Sequence, residues 1–340
     1  MKNFLKKNLT VIIFIGILLV AGTILGVAIY KASNKEEPTV IIKDNIILTY
    51  SGNEKEVSID KSVVAIGTGA FDGKTIIEKI NFSEDGNLTA IGPNAFRNCS
   101  GLTAIVLPKT IQSIGAHAFD GCSSLETIII PEGVKYIEDG AFNGCKNLKN
   151  ISFPASLESF GDNVLTNCPL LATISSKSPI LVVEEGVLYN EDKTVLHKYL
   201  PSNSAKSYEV PEGVKEIKSY AFQDAVNLTE IIIGANVEKL GEKVLAGCNS
   251  LQEVTIPFLG STAAAEDASR FGTFFDDVPK SLHTVTVLGG EIIPFKAFYF
   301  CSTIKNIIIG EGVTEIGFYS FAYCSSLADI NIPDGVNCIA

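Results

Sequence analysis

The apolar positions of this chain recur with a period of 23 residues over most of its length. Within residues 118–137 the pattern reads A-F-x-x-C-x-x-L-x-x-I-x-I-P-x-x-V-x-x-I. The large residue of the A-F pair falls at Phe96, Phe119, Phe142, Leu165, Phe222, Leu245, Phe298 and Phe321. A fixed period between about 20 and 50 residues is typical of a repeat protein, in which each unit buries its apolar face against the next.

The segment L-x-x-I-x-I-P predicts one short β-strand in each repeat. Its apolar residues alternate with other residues and are mostly β-branched, and the proline that follows cannot donate to a continuing ladder. The A-F-x-x-C piece is too short for a full helix and predicts a turn. Stacked units would place their strands in parallel. We therefore expect a repeat solenoid of β-strand and coil, with a parallel sheet and short turns.

This motif resembles the BspA-like leucine-rich repeat, the Treponema pallidum type, over about residues 57–339. The resemblance implies a right-handed solenoid with a parallel sheet on its concave side. It also implies a surface-exposed protein that attaches to host matrix proteins or to other cells. The period by itself predicts a solenoid, and only the resemblance suggests adhesion.

The N-terminal region predicts a membrane anchor. Residues 1–8 form a short lysine-containing tail, and residues 9–30 carry no charge. As a helix, this run would be about 33 Å long, enough to cross a bilayer as a single transmembrane helix. A cleaved signal peptide is the alternative. The basic flank favours a signal anchor in the cell membrane with a cytoplasmic N-terminus and an extracellular repeat domain, joined by a linker at 31–38.

The rest of the chain is interpreted as a cap followed by the array. Residues 39–62 predict an N-terminal β cap in which strands at 46–50 and 57–59 form a hairpin around Ser51–Glu54. The solenoid then covers 63–340.

Two insertions interrupt the period, near 176–207 and 258–281. In the first, two short strands around a polar turn predict a hairpin that projects from the rod. In the second, a polar loop at 261–266 precedes a degenerate repeat unit at Phe271–Phe275.

The chain has eight cysteines, and seven share one repeat position. These are Cys99, Cys122, Cys145, Cys168, Cys248, Cys301 and Cys324. At such a position cysteine behaves as a small buried hydrophobe, and stacking does not by itself provide disulfide geometry. We therefore expect buried free thiols, with Cys338, which lies outside the series, as the exposed one.

Nothing in the sequence favours catalysis, a metal site or a cofactor. His117, His197 and His283 lie in unrelated contexts with no triad partner suitably spaced, and no C-x-x-C pair occurs for zinc. The formal net charge is −11, so the chain lacks the basic footprint of a nucleic-acid-binding protein.

The candidate binding site is the middle residue of I-x-I, whose side chain should point onto the sheet face. This residue is apolar at Val106, Ile129, Ile232 and Ile308, with Glu126 and Glu230 as flanking carboxylates. One interpretation is plain β-propensity on a half-exposed face. The other is a strip that binds a protein partner.

The resulting hypothesis is a membrane-anchored cell-surface protein, adhesin-like and not an enzyme. It would bind proteins or neighbouring surfaces, matrix glycoproteins among them. The alternative is a structural spacer or assembly element of the cell envelope. Because the sequence stops within a repeat, that element would self-associate through an uncapped C-terminal end.

Overall fold

The computed structural model describes residues 28–30, 40–259 and 270–340. The chain divides into two compact units. Of the described residues, unit 1 contains those up to 168 and 175–178, and unit 2 contains 169–174 and those from 179 onward. Each unit is a β-solenoid, and the helix of the described chain is a single 3₁₀ turn at Phe271–Phe274. The predicted solenoid of strands and short turns is confirmed.

The predicted I-x-I strands form a principal ladder in each unit. In unit 1 a parallel three-stranded sheet contains Glu56–Ile59, Lys79–Phe82 and Ala104–Ile105, and Thr127–Ile129 pairs in parallel with Asn150–Phe153. In unit 2 six parallel strands follow one another: Ser207–Glu209, Glu230–Ile232, Glu253–Ile256, Thr284–Val287, Asn306–Ile309 and Asp329–Asn331. A further strand, Thr173–Ser176, lies at the division between the units.

A second strand, which the sequence analysis missed, forms the end of the V-x-x-I segments. These strands are mostly two residues long and form a short ladder. In unit 1 its order is Ala28–Tyr30, Val40–Lys43, Ile46–Tyr50, Ala65–Ile66, Ala90–Ile91, Ser113–Ile114, Tyr136–Ile137 and Ser159–Phe160. In unit 2 one sheet contains Leu181–Glu184, Val187–Asn190, Val195–Tyr199, Glu216–Ile217 and Lys239–Leu240, and another contains Ile292–Ile293, Glu315–Ile316 and Cys338–Ile339.

The A-F turns add a third line of contact between successive repeats. The N–H of Phe96 donates to the carbonyl of Ala118, and the N–H of Phe119 to that of Ala141, each at 2.8 Å. The rings of Phe96 and Phe119 are stacked with centroids 5.3 Å apart. Because both rings are fully buried, the phenylalanine column forms the centre of the core.

These turns also require left-handed backbone. Two residues after the column position, Asn98, Gly121 and Gly144 have φ of 57°, 72° and 70°. Glycine and asparagine tolerate this conformation. In unit 2 the same position holds Asp224 and Gly247 and then, in the last two turns, Phe300 and Tyr323, with φ of 63° and 62° for these two. The left-handed conformation costs about 1–2 kcal/mol for each bulky residue.

The predicted pairing inside the N-terminal cap is wrong. Ile46–Tyr50 pairs antiparallel with Val40–Lys43 and parallel with Ala65–Ile66. Glu56–Ile59 instead pairs with Lys79–Phe82 in the principal ladder. The polar segment between 50 and 56 therefore carries the chain from one sheet to the other and does not close a hairpin.

The first insertion contains the predicted hairpin, but the hairpin does not project. Val187–Asn190 and Val195–Tyr199 pair antiparallel, and the second strand continues in parallel with Glu216–Ile217. Leu196 and Tyr199 are fully buried. The apolar faces of these strands are needed to cover the first repeat of unit 2, which is why the hairpin lies in the ladder.

The described part of the second insertion packs in the array as the degenerate repeat predicted. Phe271 stacks on Phe298 at 5.2 Å, and its N–H donates to the carbonyl of Ala297 at 2.7 Å. Thr284–Val287 supplies the principal strand of this turn. The predicted loop at 261–266 lies outside the described residues.

Most of the predicted tail, anchor and linker also lies outside the described residues. Within the predicted anchor, Ala28–Tyr30 forms a strand antiparallel to Val40–Lys43 and not the end of a helix. The described part of the chain contains no helix that is long and apolar enough to span a membrane.

Candidate functional site

The side chains predicted to point onto the sheet face do so in unit 1. Val106 is 84% exposed and Ile129 is 69% exposed, while the preceding residues Ile105 and Ile128 are buried. The alternation of the strand therefore separates core from surface as the sequence indicates. Two large apolar side chains are left in solvent on consecutive repeats.

Val106 also lines a groove of about 580 Å³. The groove lies between residues 79–84 and 104–110, with an apolar floor that includes Phe82 and Pro108. Lys79 and Lys109 lie among its lining residues. A concave, largely apolar surface with a few polar groups is the usual form of a recognition site.

The sequence analysis did not predict this groove, although a signal was present. The step from Phe71 to Phe96 is two residues longer than the period. Within this longer repeat, a turn at Ser83–Gly86 is closed by a 3.1 Å hydrogen bond from the Gly86 N–H to the Ser83 carbonyl. Ser83 and Glu84 from this turn form part of the groove wall.

In unit 2 the corresponding positions form one row across the principal ladder. Ile232 is in register with Thr255, and Thr286 with Ile308. Ile308 is 43% exposed and Ile232 is half-buried. Because threonines lie between the two isoleucines, this face is less apolar than its counterpart in unit 1.

The flanking carboxylates take part in contacts between repeats. Glu126 forms an ion pair with Lys149 at 2.9 Å, and Glu230 accepts a 2.8 Å hydrogen bond from the hydroxyl of Ser207. Each partner is 23 residues away. Exposed pairs of this kind stabilise the folded protein by only about 0–1 kcal/mol. The two carboxylates are accessible, but each already has a partner.

The cysteine series consists of free thiols, as predicted, and all of them are buried except Cys324, which is partly exposed. The thiol of Cys122 donates to the carbonyl of Phe96 at 3.1 Å, and that of Cys145 to Phe119 at 3.3 Å. Burial raises the pKa of Cys99 to about 12 and that of Cys122 well above its usual value. A thiol that stays protonated is a poor nucleophile. Cys338 is exposed, as expected.

The three histidines lie in separate settings. His117 Nδ1 is 3.0 Å from a carboxylate oxygen of Asp120, and His283 Nδ1 is 3.0 Å from the hydroxyl of Thr284. His197 lies in the inserted strand Val195–Tyr199. In the part of the chain that the structure describes, no group of three or more acidic, histidine or cysteine side chains is arranged to hold a metal ion.

The repeat pattern and the fold together identify the class of protein, a leucine-rich repeat solenoid. The family model of the BspA type leucine rich repeat region matches residues 42–172, 195–264 and 288–340 in six copies. The chain therefore belongs to the BspA-type leucine-rich repeat family. A comparison with curated protein sequences gives no match.

Solved structures share this fold. A leucine rich cell surface protein from Faecalibacterium prausnitzii is 22% identical with a TM-score of 0.53, covering 88% of this chain and 94% of its own. The pneumococcal vaccine antigen PcpA is 18% identical with a TM-score of 0.61, covering 94% and 86%. A leucine-rich repeat protein from Bacteroides ovatus is 22% identical with a TM-score of 0.57, covering 92% and 88%.

Proposed function

We propose that this protein is a cell-surface receptor that binds protein ligands through the sheet face of its repeats. It would be adhesin-like and without catalytic activity, and held in the cell membrane by its N-terminal apolar segment. The observation that supports this most directly is the exposure of Val106 and Ile129 beside the groove at 79–84 and 104–110.

An exposed apolar strip on an acidic solenoid suits a partner with its own apolar anchor residues. Ligand binding would bury Val106 and Ile129, and apolar side chains at the centre of an interface usually dominate its affinity. The repetitive strands supply additional weak contacts along the array. The surface proteins with the same fold are consistent with this function.

The test is a binding assay with the full-length protein in detergent. Immobilised fibronectin and fibrinogen and intact cells serve as ligands, measured by surface plasmon resonance or by cell attachment. Ile129→Asp places a charge in the strip and should weaken binding at least about thirtyfold, the effect of roughly 2 kcal/mol at a central contact.

Ser152→Asp is the matched control, because Ser152 pairs directly with Ile129 in the ladder and is already polar. Equal affinity of the Ile129→Asp variant, with the fold intact by circular dichroism, would contradict the proposal. Concentration-dependent self-association with no ligand bound would favour the envelope-assembly alternative.

A further inference from the structure

The last two A-F turns of unit 2 carry a cluster of aromatic side chains that the sheet-face proposal does not use. We call it the aromatic patch, and it consists of Phe295, Tyr299, Phe300, Phe318, Tyr319 and Tyr323. Phe300 is 62% exposed and Tyr323 is 63% exposed. The following repeat packs on the turn that carries Phe300, and Phe300 is exposed even so. Its exposure therefore comes from where its side chain lies in the turn.

The rings of the patch hold one another in place. Phe300 and Tyr323 are stacked with centroids 4.6 Å apart and an interplanar angle of 10°. Tyr299 stands nearly perpendicular to both, at 4.5 Å and 5.4 Å. The ammonium of Lys296 lies 4.9 Å from the rings of Phe295 and Tyr299. The patch is therefore a preorganised aromatic surface.

The fold does not require aromatic residues at these positions. Phe300 and Tyr323 occupy the left-handed position that Asn98, Gly121 and Gly144 occupy in unit 1. Glycine and asparagine make the same turn without the steric conflict of a bulky side chain. Because the turn does not need these rings and leaves them exposed, they are available for recognition.

A polar groove of about 330 Å³ adjoins Phe300. It is lined by the carboxylates of Asp276 and Asp277 and by the residues Ser302 and Thr303. Asp276 also pairs with Lys243 at 2.9 Å. The volume is at the lower end of the range for small-ligand sites, about 300–1,000 Å³.

This combination of groups discriminates between classes of ligand. The face of an aromatic ring is electronegative, so it attracts the electropositive C–H groups on the face of a pyranose ring. The neighbouring carboxylates and hydroxyls can bond the hydroxyls of the same sugar. An apolar protein segment would instead leave Asp277 desolvated and unpaired, which is unfavourable, and an anionic ligand would be repelled by both carboxylates.

We propose that the aromatic patch and the adjoining groove form a binding site for an uncharged glycan. One sugar would stack on Phe300, which lines the groove and is held in place by the ring of Tyr323, and would bond to Asp276, Asp277, Ser302 or Thr303. The site is separate in position and in ligand chemistry from the strip at Val106 and Ile129. It goes beyond the proposed protein-binding function.

The experiment titrates the full-length protein with soluble oligosaccharides of dextran, β-1,3-glucan and mannan. Polygalacturonate oligosaccharides serve as the acidic comparison and an aliphatic peptide as the apolar one. Binding is followed by tyrosine fluorescence, since the chain contains no tryptophan, and by calorimetry. At least one neutral glycan should bind in preference to both comparisons.

Phe300→Asn and Tyr323→Gly introduce residues that unit 1 uses at the same turn position. Each removes a stacking ring and relieves the backbone, so the protein should stay folded while glycan affinity falls about tenfold. Tyr136→Asn, at an exposed tyrosine of unit 1, and Ile129→Asp should leave glycan binding unchanged.

Three results would overturn the glycan site: no neutral glycan binds, a comparison ligand binds better, or both patch variants bind as the unmodified chain does. Because Ile129→Asp is measured in the same series against protein ligands, failure of the glycan site and failure of the sheet-face strip are distinguished.

Discussion

The ring of Tyr199 lies 5.3 Å from that of Phe222, in the same relation that joins Tyr50 to Phe71 at 5.1 Å. Each tyrosine ends a strand that pairs antiparallel on one side and parallel on the other. Tyr50 begins a column of rings that continues through Phe71 and Phe96, whereas Leu245 follows Phe222 at the next column position of unit 2. The insertion in unit 2 therefore repeats the N-terminal arrangement of unit 1 and covers the first repeat behind it, as terminal caps do in solenoids.

Replacing Tyr199 with phenylalanine should stabilise the protein. The Tyr199 hydroxyl is buried with no hydrogen-bond partner among the described residues, and burial raises its pKa to about 12. Removing an unsatisfied buried hydroxyl should raise the free energy of unfolding by about 1 kcal/mol, measured by urea denaturation. Tyr189→Phe is the control, since it loses a 2.7 Å bond to the Tyr208 hydroxyl and should lower stability. A destabilised Tyr199→Phe variant would show that this hydroxyl is partnered in solution.

The close approach of neighbouring turns at Gly241 should make that glycine irreplaceable. A Cβ at Gly241 would lie 2.1 Å from the backbone nitrogen of Ser219, so Gly241→Ala should destabilise the protein by about 1–3 kcal/mol. At Gly213 a Cβ would meet nothing within 4 Å, and Gly213→Ala should be neutral or slightly stabilising. The thermal unfolding midpoint of the Gly241→Ala variant should therefore lie clearly below that of the Gly213→Ala variant. Equal midpoints would mean that the turns separate without difficulty.

Thiol alkylation should distinguish Cys338 from the six buried cysteines of the series. Cys338 is exposed, whereas Cys99, Cys122, Cys145 and Cys248 are buried and donate to backbone carbonyls. With iodoacetamide at pH 8, mass spectrometry should find one rapidly modified cysteine in the native protein and modification of all eight in urea. Rapid modification of a buried cysteine without denaturant would contradict the packing of the column.

Stability should fall at alkaline pH because the buried thiols resist ionisation. Burial raises the pKa of Cys99, Cys248 and Cys301 to about 12, whereas an unfolded thiol ionises near pH 8.5. Below that pH the folded and the unfolded states both keep the thiol proton, so the free energy of unfolding is not reduced. Above it only the unfolded state releases the proton, so each thiol lowers the free energy of unfolding by about 1.4 kcal/mol per pH unit until the folded pKa is reached.

The control for the alkaline loss is Cys248→Ala, because Ala225 occupies the equivalent repeat position. Chemical denaturation between pH 8 and pH 11 should give a shallower decline for this variant than for the unmodified chain. If the free energy of unfolding declines in parallel for the two proteins, the alkaline loss of stability comes from lysines and tyrosines and not from Cys248.

The core of this protein could be predicted from the sequence because equivalent positions of successive repeats stack on one another. Phe119 lies on Phe96, and Cys122 lies buried 23 residues after Cys99. The outward direction of Val106 and Ile129 followed from strand alternation in the same way. Once a period is established, the side that a residue faces is determined locally, by its phase within the repeat.

The partners of the strands were decided only by the tertiary structure. Alternation shows which side chains of Ile46–Tyr50 point inward, but it does not distinguish pairing with Glu56–Ile59 from pairing with Ala65–Ile66. The choice depends on which exposed edge and which apolar face remain to be covered. The same is true of the groove beside Val106 and of the aromatic patch around Phe300. Each joins residues from turns more than 20 positions apart, and such contacts exist only when the chain has folded.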